Sequence, residues 1–403
     1  MTLTRFLENV IEENCFYAVK RLSGNDTGLT GGHQSGIYMP RWFFEGALPS
    51  ICRTDKHNPR ETISEIIFPG NGCVVNSVQA IYYNSKFHPE LGLKKKYDEF
   101  RITGWGGRNS CPFQNPENTG ALVLLAINCV DNEYKGMAWV SSSEQEDDIL
   151  ESWIGYDVLP GEVYGPLQSE KRRISNESLN LVDQVFLPEW KSEFPTGNEI
   201  FKRVVCALPN NDRMTFDQLL LKRRELEFAV FSRIEEAHVL PHIEAGFSSV
   251  DKFIRYSLSV ANRRKSRTGK SLELNLAQIF RDANIEFSEQ SITENRKKPD
   301  FLFPSQSAYT DRAFPSDKLH MMAAKTCCKD RWRQVLSEAD RIPMKHLFTL
   351  QEGISINQFN EMKIGGICLV IPEPNKKQFP KEIQSELMNL NNFVMFIGES
   401  QAV

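Results

Sequence analysis

Asp300, Lys325 and Glu338 are the residue types that metal-dependent phosphodiester cleavage calls for. A hard cation such as Mg²⁺ takes oxygen ligands, keeps several waters, and is held by one or two carboxylates together with a substrate phosphate. Asp300 and one further acid fit that role. A lysine beside them would position or help deprotonate the attacking water and offset charge developing on the phosphate, while the metal supplies Lewis acidity. Lys325 follows Asp300 by 25 residues (325 − 300), and Glu338 follows Lys325 by 13 (338 − 325).

Local pattern says how these groups are presented. Pro299 fixes the approach to Asp300, and Phe301, Leu302 and Phe303 read as a short buried strand with the carboxylate at its entrance. Met321 to Ala324 form a second apolar run that ends on Lys325. Trp332, Val335, Leu336 and Ala339 repeat at helical spacing, which predicts that Glu338 lies on the flank of a helix facing the strand edge. The bland alternative is an Asp capping a turn, a Lys at a strand end and a Glu on a solvated helix face, because short motifs match often by chance.

The wider chain changes character near its middle. Residues 1–165 mix short apolar runs such as CVVNSVQAIYY and ALVLLAINCV with turn-rich loops, which reads as a mainly β domain. The polar, basic stretch GPLQSEKRRISNESLNL looks like a linker. From about Val182 helical spacing dominates, interrupted by strands around Phe301, Ala323, Phe348 and Leu369, as in a mixed α/β domain. The expected division is therefore 1–168, a linker at 169–181, and 182–403.

Composition narrows the class. The 403 residues, 40% hydrophobic and 25% charged, suffice for two or three globular domains. No apolar run approaches a membrane span and acids come early in MTLTRFLENVIEEN, so neither a membrane nor a signal peptide is expected and the location is cytoplasmic. Nine cysteines without CxxC pairs fit neither a disulfide framework nor a zinc ribbon. His238 and His242 stand four apart, but Pro241 is expected to disturb the helix that would align them as zinc ligands. GKS at 269–271 imitates a P-loop, yet Arg264 stands where its first glycine belongs, so no nucleotide cofactor is expected and Thr268 or Ser271 reads as a helix start.

A net charge of −4 is unlike a non-specific nucleic-acid binder, so local patches must carry any DNA contact. Three stand out: KKKYDEFR (94–101), LKRRELEF (221–228), and NRRKSRTGK (262–270), which contains Arg263. Each alone would be read as a solvated helix face.

The stretches NRRKSRTGKSLELNL, ITENRKKPDFLFPS, KTCCKDRWRQVLSEAD and HLFTLQEG together resemble the catalytic domain of the EcoRII-type restriction endonucleases, type IIE members of the PD-(D/E)xK superfamily. KRLSGNDTGLTGGHQSGIYMP, AIYYNS and NPENTGALVLLA resemble the N-terminal effector-binding domain of the same enzymes, so the similarity runs in order through nearly the whole chain. The resemblance implies an α+β two-domain protein: an N-terminal, mainly β, B3-like DNA-binding pseudobarrel and a C-terminal α/β restriction-endonuclease-like domain. It implies a catalytic set of Asp300, Lys325, Lys329 and Glu338, with Glu273 as a further helical acid and Asp300 and Glu338 as metal ligands. Ala323 occupies the position two before Lys325 where such nucleases usually carry their second acid, and Glu338 replaces it.

Specificity is implied as well. In Lys329-Asp330-Arg331 the cations suit guanine O6 and N7, and the carboxylate accepts from cytosine N4. The resemblance extends this to 5′-CCWGG, cut before the first C, with each subunit of a homodimer reading CC/GG and the central pair flipped out. Arg223 matches the arginine that helps hold the flipped base. His33, Tyr38, Glu99 and Arg101 match effector-DNA contacts, and Lys20, Arg21, Asn25 and Asp26 lie in the neighbouring loop. Departures exist: Phe100 stands for a lysine, Gly104 for an arginine, and Lys94, Lys95 and Lys96 could restore the lost charge.

The expected partners are Mg²⁺, two or more copies of the recognition duplex, and a cognate cytosine methyltransferase as a genetic companion in a bacterial host. The competing class is a sequence-specific DNA-binding protein without cleavage, which leaves Asp300, Lys325 and Glu338 as coincidence. A non-specific repair nuclease conflicts with the acidic net charge and the Lys-Asp-Arg triplet.

Overall fold

A computed structural model describes every residue except 30–35, 156–157, 167–175, 212, 329–330 and 403, and leaves out the side chains at 176–179, 265–266, 268–269 and 295. It divides into two units. One comprises Met1–Lys171, Gln351–Glu361 and Asn375–Ser385; the other comprises Arg172–Leu350, Met362–Pro374 and Glu386–Val403.

The first unit is built on eight strands: β1 (Phe16–Arg21), β2 (Gly36–Met39), β3 (Arg60–Phe68), β4 (Cys73–Tyr83), β5 (Glu99–Thr103), β6 (Leu122–Val130), β7 (Glu133–Val140) and β8 (Val163–Tyr164). Their order is β2-β5-β4-β3-β7-β6-β1-β8. The β6–β7 hairpin closes on Asp131 and Asn132, with φ of +52° and +65°. Positive φ at both loop residues defines the tight turn whose twist matches its flanking strands, and Asp and Asn tolerate it best after Gly.

Strand β6 is apolar through most of its length because both its faces are covered. Val123, Leu125 and Ile127 enter a core with Phe43, Phe44, Phe68 and Phe113, while Leu122, Leu124 and Ala126 meet Phe6 and Leu7 of the helix Leu3–Glu12. The sheet nearly closes. Lys20 on β1 donates from Nζ to the Tyr38 carbonyl on β2 (3.2 Å), although β1 and β2 are not neighbours in the sheet. The buried Asp26 carboxylate joins the same two strands, accepting from Lys20 Nζ at 2.7 Å and from Tyr38 N at 3.2 Å. This is the mainly β, barrel-like half that the sequence led us to expect.

The second unit carries a five-stranded sheet in the order β13-β12-β11-β10-β9, made of β9 (Ser288–Glu289), β10 (Phe301–Phe303), β11 (His320–Lys325), β12 (Lys345–Thr349) and β13 (Ile367–Val370). Strands β9 to β11 pair antiparallel, whereas β11 to β13 are parallel. Helix Val250–Asp282 lays Leu272, Leu276, Ile279 and Phe280 on this sheet, and helix Leu390–Gln401 adds Leu390, Phe393, Val394 and Ile397. Both sets have the spacing of a helix that buries one stripe. Buried Asp217 caps the latter helix, its Oδ1 accepting from Leu390 N (3.0 Å) and its Oδ2 from Asn391 N (3.1 Å).

Three local expectations fail here. Helix Phe216–Ala245 runs unbroken through Pro241, so the His238–Pro241–His242 segment is not disturbed as expected, and His238 Nε2 lies 2.8 Å from the Trp190 carbonyl. Neither Thr268 nor Ser271 starts a helix: Ser249 caps Val250–Asp282, and Ser271 is buried inside it, donating to Glu227 at 2.7 Å. The patch 221–228 is not a surface patch, because Arg223, Arg224 and Glu227 are all buried. Facing helices cover them, which single-helix periodicity does not reveal. Of the expected linker 169–181, residues 169–175 lie outside the described residues and the rest belongs to helix Asn176–Val185.

Candidate active site

Asp300 precedes β10, and the antiparallel register that pairs Phe301 with Met322 brings its carboxylate over the end of β11. Its Oδ2 accepts the Ala324 backbone N–H at 2.8 Å and lies 3.4 Å from Lys325 Nζ. Its Oδ1 accepts from Gln290 Nε2 at 3.0 Å. Asp300 is 7% exposed, so these partners replace most of its water. Asp300 and Lys325 are thus together, at the strand ends that the apolar runs foretold.

Glu338 joins them from an unexpected place. The helix after β11 spans only Trp332–Val335, and Glu338 lies beyond it in a bend rather than on a helix flank. Trp332 and Val335 are buried as their spacing required, but one turn uses up that spacing, and Ala339 has φ of +49°, which no helix accommodates. Burial is the main reason the Glu338 carboxyl is pushed up to about 7; Lys325 opposes that rise and Asp300 adds to it. Among the described residues Glu338 Oε2 is buried with no hydrogen-bond partner. Glu273, reaching in from helix Val250–Asp282, is also pushed up, by burial and then by Asp300, and sits 3.8 Å from Lys270.

The donor set fits a divalent cation. Among the described residues no group of three acidic, His or Cys side chains is gathered at ligating distance, but Mg²⁺ asks for only one or two carboxylates beside water and phosphate. An unpartnered, buried carboxylate oxygen that shares the fields of Asp300 and Lys325 is what such an ion would satisfy.

Other expected residues are distributed as follows. Lys329 and Asp330 lie outside the described residues, and Arg331 immediately precedes the short helix. Arg263 stands 4.4 Å over the Phe194 ring. Arg223 is fully buried, donating to the Leu208 carbonyl (2.9 Å) and to Asp282 (3.2 Å), with Nη1 unpartnered among the described residues. In the first unit His33 lies outside the described residues. Lys20, Arg21 and Asp26 are buried, and Arg21 is gripped by Asp147 (2.8 Å) and Glu151 (2.9 Å). Asn25 is exposed, Tyr38 is 40% exposed, and half-buried Arg101 pairs with Glu99 at 3.2 Å. Sequence reasoning missed Gln290, the residue that orients Asp300. Its φ of +50° at the end of β9 is a fold feature with no sequence signature.

Two family models match the chain: "Restriction endonuclease EcoRII, N-terminal" over residues 12–170 and "EcoRII C terminal" over 231–394. The Type II restriction enzyme EcoRII of Escherichia coli is 43% identical over 390 residues, 95% of this chain and 94% of that protein. The chain belongs to the EcoRII family of type II restriction endonucleases. It is thus a DNA-binding, site-specific deoxyribonuclease. Among solved structures, metal-depleted Ecl18kI with uncleaved, modified DNA is similar at 20% identity and a TM-score of 0.44, covering 57% of this chain and 86% of that one. The same protein with uncleaved DNA is similar at 21% identity and a TM-score of 0.43, covering 56% and 84%. Among the described residues no helix is long and apolar enough to cross a membrane.

Proposed function

We propose that this EcoRII-family endonuclease hydrolyses double-stranded DNA at 5′-CCWGG in a Mg²⁺-dependent reaction that leaves 5′-phosphates. The observation that carries the reading is the placement of Asp300, held by Ala324 N and beside Lys325 Nζ, within the field of the Glu338 carboxyl, whose buried Oε2 has no partner among the described residues. Asp300 and Glu338 would hold the ion, which supplies Lewis acidity to the scissile phosphate. Lys325 orients the attacking water and offsets charge on the phosphate, Lys329 adds a second cation, and Glu273 biases the same field.

Lys329, Asp330 and Arg331 read the G·C pairs, in a homodimer whose twofold axis matches the pseudopalindrome. Arg263 contributes from the neighbouring basic helix. Arg223 reaches the flipped central base only once its Leu208–Asp282 cage opens. The protein acts in the bacterial cytoplasm beside a cognate cytosine methyltransferase.

Effector DNA binds the first unit through Asn25, His33, Tyr38, Glu99 and Arg101, with buried Lys20, Arg21 and Asp26 shaping the loop from beneath. The same unit contains residues 351–361 and 375–385, continuous in the chain with β12 and β13. There Glu117 accepts from Ser355 Oγ (2.7 Å) and Asn357 Nδ2 (2.9 Å), and Gly24 N donates to the Glu352 carbonyl (3.0 Å). Effector DNA releases an inhibited state, because a ligand that binds the open state better shifts the balance towards it.

The reading is tested by incubating a plasmid carrying several CCWGG sites with Mg²⁺ or EDTA. Discrete fragments ending at those sites, absent in EDTA and with Asp300→Ala, are expected. An intact plasmid together with specific retention of a CCWGG duplex would instead favour the binding-only class.

A further inference from the structure

Glu338 stands outside regular structure, so nothing in a helix or strand fixes where its carboxylate points. The turn after it, by contrast, is tightly held. Ala339 is fully buried with φ of +49°, a conformation that a residue with a Cβ adopts only when its surroundings impose it. The groups that hold this turn are Arg341, Tyr309 and Glu294, drawn from three separate segments.

The Arg341 guanidinium donates to the carbonyls of Tyr309, Asp311 and Phe314, the last two at 2.9 Å, and lies 5.6 Å from the Tyr309 ring centre. Its backbone N–H donates to Tyr309 Oη at 3.3 Å. Tyr309 Oη in turn donates to Glu294 Oε2 at 2.5 Å, and that same oxygen accepts from Asp340 N at 3.3 Å. Glu294 belongs to the single turn Glu294–Arg296 that leads into Asp300. The segments bearing Asp300 and Glu338 are therefore tied to one another through Tyr309. Burial works against ionisation of Glu294, yet the Tyr309 hydroxyl, the Asp340 N–H and Arg341 outweigh it and hold the carboxyl below its ordinary range, so the tie has a charged acceptor at its centre.

We propose that Arg341, with Tyr309 and Glu294, is a positioning residue that sets the distance and direction of Glu338 relative to Asp300 and thereby the affinity of the pair for a divalent cation. The inference rests on the reading of Glu338 as a metal ligand. Every bond of the set ends on the turn after Glu338, on the segment before Asp300, or on the loop between them. Mg²⁺ demands near-ideal octahedral geometry, so a ligand displaced by a fraction of an ångström weakens its site while leaving DNA contacts elsewhere intact.

The experiment compares the full-length protein with Arg341→Ala, Arg341→Lys, Tyr309→Phe and Glu338→Ala. It measures Mn²⁺ binding directly by electron paramagnetic resonance, the Mg²⁺ concentration that half-saturates cleavage, and the affinity for a CCWGG duplex in EDTA. Loss of an outer support of a metal ligand lowers metal affinity by about 10–100-fold, so Arg341→Ala should weaken Mn²⁺ binding and raise half-saturating Mg²⁺ by that factor, with duplex affinity unchanged. Arg341→Lys should recover part of the loss. Wild-type Mn²⁺ affinity in Arg341→Ala beside its loss in Glu338→Ala would overturn the proposal. Should Arg341→Ala fail to fold, seen as lost duplex binding, Tyr309→Phe removes only the hydroxyl link. It should shift Mn²⁺ affinity several-fold in the same direction, and no shift would again overturn the proposal. Wild-type Mn²⁺ binding and cleavage by Glu338→Ala would refute the underlying assignment of Glu338, and this inference with it.

Discussion

Asp300 and Glu338 are both carboxylates, yet their surroundings give them different tasks. Asp300 already has backbone, amide and ammonium partners, whereas Glu338 is half-buried, with its Oε2 shut away from solvent and unpaired among the described residues, and is pushed up to about 7. Without metal its carboxyl keeps a proton below that pH, and a cation must displace the proton to bind. Apparent metal affinity should thus fall by up to about tenfold for each pH unit below 7 and level off above it. Titrating Mn²⁺ at about pH 6 and about pH 8 checks this: the wild type should differ and Glu338→Gln should not, while equal wild-type affinities would count against the assignment. Asp300 and Lys325 were legible in the sequence because apolar runs deliver them to adjacent strand ends. Glu338 was legible by type and distance, but its bend was not, since the turn that follows it is tied to Tyr309 and Glu294 in segments distant along the chain. Gln290 was not legible at all, because only the β9–β10 pairing brings it to Asp300.

Elements were readable wherever burial follows one period. Phe301 to Phe303, Met321 to Ala324 and the stripe Leu272, Leu276, Ile279 and Phe280 all lie in the core of the second unit. Boundaries were less readable: Ser249, not Thr268 or Ser271, begins the long helix, and Pro241 sits inside another. Tertiary packing overrides such local signals when facing helices bury what one helix alone would expose. Phe280 shows what the long helix does for the site. Its ring lies 5.5, 5.2, 5.1 and 6.0 Å from those of Phe287, Phe301, Phe303 and Phe393, and so it backs the strand that Asp300 enters. Phe280→Ala should cost about 3–5 kcal/mol in urea unfolding and slow cleavage as β10 loses its support. A loss below about 1 kcal/mol would show that the strand does not depend on this packing.

For the whole molecule, the two halves were visible as a change from alternating runs to helical spacing, and family membership agrees with it. Less visible was that residues 351–361 and 375–385 belong with the first unit, because contacts between distant segments leave no periodic trace. If effector DNA releases an inhibited state, adding a short CCWGG duplex should raise cleavage of a plasmid with a single site. Cleavage of a many-site plasmid should change little, and an unchanged single-site rate would argue against the inhibition. The central claim, that Asp300 at the mouth of β10 performs cleavage and not recognition, is tested most directly by Asp300→Asn, with binding and cutting of one end-labelled CCWGG duplex measured side by side. The account predicts duplex affinity close to that of the wild type and no cleavage in Mg²⁺. Cutting at the wild-type rate would contradict it.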